Sequence, residues 1–287
     1  MATYVPGTAG SGTELTNEVW QKNIEAAVYE EAQLLPLIKE RDRLYNKLHI
    51  RTFGQFSAST LANTDTGLGP TYAVATTYDK TATPVANYVA VNLSRSQIKQ
   101  MNVDVTQSND FKDAMNKALA QKIDQTVHAA TIGALTTNVV GDAAATMDRA
   151  LVLNLLYTIR KNARSAVQPG KSDIKFIVWP LQGPSFMSIP EFTAANLRGD
   201  SENPNVKGII FNAMGLEYIV SGNCVSDANG VHNGMFVGSA FSLSWNERPT
   251  VFSQDFELAS RIYAYGNYGA GVVWDDRAGD LRTKATL

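Results

Sequence analysis

The chain has 287 residues, 44% of them hydrophobic, with 25 Lys and Arg against 27 Asp and Glu and a formal net charge of −2. That is enough apolar chain for one elaborated domain or two subdomains, and the charge balance leaves no electrostatic footprint for gripping nucleic acid. The single cysteine, Cys224, excludes an intramolecular disulfide and fits a reducing compartment, while the longest mid-chain apolar stretch, residues 143–159, is broken by Asp148, Arg149 and Asn154 and falls short of the ~18 residues of a membrane span.

Residues 1–13, rich in Gly, Thr and Ser, predict an extended tail. Met1-Ala-Thr-Tyr-Val-Pro-Gly7 lacks the basic and apolar regions of a secretory signal, so the chain is expected to stay where it is made. Thr16 can cap a helix whose stripe is Val19, Trp20, Ile24, Ala27, Val28 and Leu34, ending near Pro36. Lys39-Glu40-Arg41-Asp42-Arg43 alternates in charge; this reads first as a solvated face, and otherwise as a salt-bridging strip against a neighbouring subunit.

Residues 52–83 turn to Thr, Ala, Gly, Ser and Tyr, with Gly67-Leu68-Gly69-Pro70 marking a turn. Such a stretch cannot bury a core of its own. Strands expected at 51–57 and 85–93 make it a long hairpin projecting from the body, a lid in an enzyme or an arm in an assembly. The second strand alternates Val85, Tyr88, Ala90 and Leu93 after Pro84. A helix follows: Ser108 is a good N-cap, Asp110 and Asp113 charge the first turn, and Phe111, Met115, Leu119, Ile123 and Val127 recur along one face. From about 109 to 132 it would span roughly 35 Å, enough for the spine of a domain.

Beyond the spine the elements alternate in an α/β manner. Thr146 can cap a helix burying Leu151, Leu155, Leu156 and Ile159 and stopped by Gln168-Pro169-Gly170. A buried-type strand is expected at 174–179, a helix start at Pro180, a loop at Asn203-Pro204-Asn205, a strand at 216–221, a turn at Asp227-Ala228-Asn229-Gly230 and a short strand at 235–238. The C-terminal stretch, carrying Val251, Phe252, Phe256, Leu258, Arg261, Tyr263, Tyr265 and Val272, reads as long strands returning to the body.

Reactive constellations are missing from this pattern. His49, His128 and His232 have no metal-ligand spacing and read as surface or packing residues. Gly170-Lys171-Ser172 lacks the upstream glycine and preceding strand of a phosphate loop; 227–230 lacks the ligands of a calcium loop; Gly266-Asn267-Tyr268-Gly269-Ala270-Gly271 inverts the dinucleotide-binding spacing. Cys224 has no nearby His in sequence. Glu30-Glu31 and Asp275-Asp276 point their side chains apart and form no acid/base pair. Asn92-Leu93-Ser94 is a formal sequon without a secretory signal. No catalytic, cofactor-binding or metal residues are therefore assigned, no cofactor is expected, and the chain is read as not an enzyme.

The order of elements resembles the tailed-bacteriophage major capsid protein, whose fold also occurs in encapsulins and herpesvirus capsid floors. The resemblance is carried by 15–20 (Leu15-Thr-Asn-Glu-Val-Trp20), by 88–93 leading through Val103-Asp104-Val105 to the spine, by 118–124 within it, by 215–221, and by 261–266. It implies an α+β fold with an N-terminal arm and helix (1–50), an extended hairpin loop (51–93), a peripheral domain with the spine helix (94–140 and 246–287), and an axial α/β domain (141–245). By the same resemblance the partner is the chain itself, as pentamers and hexamers in an icosahedral shell, with portal, scaffolding or decoration proteins as further partners. The shell would enclose double-stranded DNA without sequence-specific binding and without a membrane, in a virion assembled in the host bacterial cytoplasm. Some relatives crosslink a hairpin Lys to an Asn on a neighbour; Lys80 is the only Lys between 52 and 93 and Asn267 lies in the returning strands, but the Glu that this chemistry needs is not evident. An encapsulin-like compartment shell shares the fold, and a soluble enzyme using 52–83 as a lid is the reading from another class.

Overall fold

The computed structural model describes residues 28, 31–41, 48–53, 77–94, 109–167, 173–187, 189, 212–213, 216–255 and 259–285. The expected tail, most of the arm helix, the hairpin tip at Gly67–Pro70, the stop at 168–170 and the loop at 203–205 lie outside those residues.

Two sheets organise the chain. The first has four strands, β1 (Lys39–Glu40), β4 (Val85–Ser94), β11 (Phe241–Asp255) and β12 (Ala259–Val272), in the order β1-β11-β12-β4. β11 and β12 are long antiparallel partners, from Phe241↔Val272 to Asp255↔Ser260, with register shifts between Trp245 and Thr250 where Pro249 lacks an N–H for the ladder. Along β12, alternation sends Ile262, Ala264 and Tyr268 inward. They meet the α1 helix (Asn109–Ala130), whose Met115, Leu119, Ile123 and Val127 are buried against them, with Val89 and Val91 of β4 packed alongside. The spine is thus where the four-residue spacing puts it. Phe111 belongs to α1, with its side chain outside the described set.

The second sheet has seven strands: β5 (Val139–Gly141), β6 (Ile174–Val178), β7 (Asn212–Ala213), β8 (Leu216–Val220), β9 (Ser226–Asp227), β10 (Gly230–Val237) and β13 (Ala278–Thr283). Their order is β5-β13-β10-β6-β8-β7, with β9 hydrogen-bonded to β10. Period-2 alternation divides its side chains between two cores. Phe176, Val178, Met235 and Leu281 face the α2 helix (Arg149–Ala163) and its Val152, Leu155, Leu156 and Ile159. Ile177, Phe236 and Ala278 face the other way and join Ile132, Leu135 and the α1 stripe. Each face has a glycine notch. A Cβ on Gly279 would sit 2.5 Å from Leu155 Cδ1, and one on Gly234 would collide with Ile132, so a side chain at either position would force these neighbours to shift.

Four expectations change. The hairpin pairs β2 (Leu48–Phe53) with β3 (Thr77–Ala82), not with 85–93; β4 pairs with β12 through ten positions instead. Thr83-Pro84 supplies the break, because proline has no ladder donor and constrains its predecessor. The α2 cap is Asp148, whose carboxylate accepts the Leu151 N–H at 2.8 Å, and Thr146 lies outside the helix. The strand expected at 235–238 begins at Gly230, its polar first half hidden by burial on both faces. Finally, β13 leaves the β11–β12 pair and enters the seven-stranded sheet beside β10, redirected by the 3₁₀ turn Asp275–Arg277. The C-terminal strand therefore does not share the sheet of the rest of 246–287.

The short elements at Pro180–Gln182 (3₁₀) and Gly183–Met187 (α3) follow β6 as the Pro180 start predicts. No described helix is long and apolar enough to cross a membrane.

Candidate assembly interface

The four-stranded sheet has an inner face covered by α1 and an outer face built from the alternate residues. On β12 those are Tyr263 and Tyr265; Phe252 on β11 lies against both, with ring centroids 5.5 Å apart and planes tilted by 22° in each pair. Tyr88 on β4 stands directly opposite Tyr265 in the register and is 70% exposed, while Phe252 is 42% exposed. The Tyr265 hydroxyl donates to Glu247 Oε1, and that bond is the main reason its ionisation is pushed up. Isolated exposed apolar side chains are ordinary. Four aromatic rings in register on one face form a surface suited to docking.

β4 is the last strand of its sheet, and no described strand pairs with its outer edge. Such an edge is a template for another strand. The β2–β3 ladder forms a separate two-stranded sheet, the arrangement least able to hold itself. On the second body, the register Val178↔Val220 puts the exposed Val220 and Leu181 at one end of the parallel β6–β8 pair. Exposed Tyr157 on α2 has the Arg160 guanidinium 5.8 Å from its ring centre.

The charged strip from Lys39 begins as the edge strand β1 on β11, with both side chains exposed. Its Glu40 accepts from Arg248 at 2.9 Å within the same chain.

Inside, polar groups are structural. Asp124, buried midway along α1, accepts the N–H groups of Leu34 (2.9 Å), Leu35 (3.2 Å) and Gln33 (3.3 Å) and the Asn223 amide (3.0 Å). Burial still outweighs these bonds and raises its pKa. His128 and His232, far apart in sequence, meet the same segment: the Val225 N–H donates to His128 Nδ1 at 3.4 Å, and the His232 N–H donates to the Val225 carbonyl at 3.0 Å. Histidine spacing could not reveal this, because the residues come from α1 and β10 and meet only through the fold. Cys224 is buried, and desolvation raises its thiol pKa. Asp275 and Asp276 form the 3₁₀ turn before β13, 266–271 is continuous β12 strand, Asn92 is in β4, and Ala228-Asn229 turns between β9 and β10. Gly170-Lys171-Ser172 and the side chains of His49 and Lys80 lie outside the described set. Among the described residues no three His, Cys, Asp or Glu side chains are grouped to hold a metal.

No family model and no curated protein matches this sequence. Solved structures do match its fold. The capsid structure of the cyanophage P-SCSP1u is 12% identical, with a TM-score of 0.67 over 89% of each chain. A structure from Mycobacterium phage Che8 is 17% identical, with a TM-score of 0.64 over 87% of this chain and 90% of that one. The virus-like particle from Pyrococcus furiosus is 11% identical, with a TM-score of 0.61 over 92% of this chain and 98% of that one. The chain has the α+β fold of phage capsid subunits, as the resemblance implies.

Proposed function

We propose that this chain is the major capsid protein of a tailed bacteriophage, a structural subunit and not an enzyme, which assembles as pentamers and hexamers into an icosahedral head shell. The observation that carries the reading is the outer face of the four-stranded sheet, with Tyr88, Phe252, Tyr263 and Tyr265 beside the edge of β4 that no described strand pairs, in a chain that follows a capsid fold over 89% of its length. At about 25 cal/mol per Å² of apolar surface, covering a few hundred Å² of such a face contributes several kcal/mol per contact, repeated at every subunit of a closed lattice. The β2–β3 hairpin, a two-stranded sheet, reaches a neighbour that steadies it.

In this reading the four-stranded sheet and α1 form the peripheral part, and the seven-stranded sheet with α2 forms the axial part, including β13. The weakly acidic chain encloses double-stranded DNA without gripping it, in a virion put together in the host cytoplasm, with portal, scaffolding or decoration proteins as additional partners. Likeness to the Pyrococcus furiosus virus-like particle favours a second reading, an encapsulin-like compartment shell. Purified particles distinguish the two: nuclease-protected double-stranded DNA supports the phage head, and a packaged protein cargo without DNA supports the compartment.

A further inference from the structure

His232 sits near the start of β10 and is 2% exposed. Its Nδ1 lies 2.8 Å from Asp280 Oδ2 on β13, and its Nε2 lies 3.2 Å from Asp227 Oδ1 on β9. An ionised carboxylate only accepts hydrogen bonds, so a ring facing one at each nitrogen must donate from both, and only the imidazolium form does so.

The two carboxylates differ. Asp280 is fully buried, and its Oδ2 also accepts from Arg282 Nε at 2.9 Å. Asp227 is 45% exposed and accepts the Asn229 N–H at 2.7 Å and the Asn229 amide at 3.1 Å, closing the β9–β10 turn. From α1 the ionisable neighbour is His128, whose protonation the nearby His232 disfavours. On β6, Lys175 is engaged with Glu217 and Asp173 instead. The segment running into β9 is stitched on both sides: Asn223 to Asp124, the Val225 N–H to His128, and the Val225 carbonyl to the His232 N–H.

We propose that His232 is a proton-operated clasp: as imidazolium it ties Asp227 to Asp280 and locks residues 223–230 in the seam between α1 and the seven-stranded sheet, and loss of its proton releases the Asp227 side. The Asp280–Arg282 pair stays in place on release, so the sheet survives while the segment opens. His232 is held above its ordinary pKa of 6.5, first by its hydrogen bond to Asp280, whereas burial pushes His128 down to about 3. Just below pH 6.5 the seam therefore carries the charged His232 ring beside the neutral His128 ring. A raised folded-state pKa means that the clasp is fully made below 6.5 and is lost as pH rises through the folded value. Because α1 contributes to the cores of both sheets, opening this segment loosens the joint between them.

Hydrogen–deuterium exchange of the full chain, corrected for the intrinsic pH dependence of exchange, tests the clasp in whatever assembly state the protein adopts. The peptide covering 223–231 should lose about tenfold or more of its protection between about pH 6, where the clasp is made, and about pH 10, while α2 peptides hold theirs. Asp227→Ala, which removes the acceptor on the exposed side of the clasp, should show the opened level already at about pH 6 and a flattened pH dependence, with native α2 protection certifying the fold. Constant protection of 223–231 in the native chain, or an Asp227→Ala profile matching the native one, overturns the proposal.

Discussion

Asp124 of α1 accepts the main-chain N–H of Leu34 at 2.9 Å across 90 positions of sequence, making the spine helix the anchor of the N-terminal segment. The same carboxylate takes the N–H groups of Leu35 and Gln33 as well. Asp124→Ala should therefore leave buried donors unpaired and cost about 2–4 kcal/mol in denaturant unfolding. Asp124→Asn, which keeps an acceptor oxygen and removes a buried charge, should cost clearly less. Equal losses would mean that the contact is not what holds the segment.

Leu119 is fully buried in α1, whereas Lys117 points outward and meets Glu31 only in an exposed pair at 3.6 Å. Leu119→Ala should cost ~2–5 kcal/mol and yield insoluble or unassembled chains, and Lys117→Ala should stay within about 0.5 kcal/mol of the native protein. Matching solubility and unfolding midpoints would reverse the assigned face.

What was legible in the sequence follows the physics of each element. The α1 stripe could be read because one face is buried and the other wet, and much of β11 and β12 because Val251, Phe252, Tyr263, Tyr265 and Val272 mark long β-prone runs. Strand partners could not be read: β3 and β4 are separated by Thr83-Pro84 alone, and nothing local says that one pairs backward to β2 and the other forward to β12. β10 was seen only in part, since His232 and Asn233 look polar in sequence yet are buried with partners on β13. The aromatic face was present as separate residues, Tyr88, Phe252, Tyr263 and Tyr265, and became a surface only when the register aligned them.

His128 is buried and neutral, its pKa lowered to about 3 mainly by desolvation. A depressed histidine binds fewer protons folded than unfolded, so its contribution to stability is intact above 6.5 and declines as pH falls from there toward the folded value. His128→Gln should flatten the fall in melting temperature between about pH 6.5 and 5, a range above most carboxylate titrations. A variant as acid-sensitive as the native chain would assign the loss to other groups.

The β2–β3 ladder stands as a two-stranded sheet of its own, and isolated hairpins are marginal in water. Trypsin should cut after Lys80 rapidly in unassembled subunits and slowly in particles. Protection by a small ligand, independent of assembly, would instead favour the lid of an enzyme. Equal rates in both states would mean that no neighbour covers the hairpin.

Particle size tests the central claim most directly. Light scattering and negative-stain imaging of the native protein should show closed icosahedral shells of many copies, with pentamers and hexamers visible on the surface. A stable monomer or dimer at micromolar concentration, under conditions in which such shells survive, would contradict it.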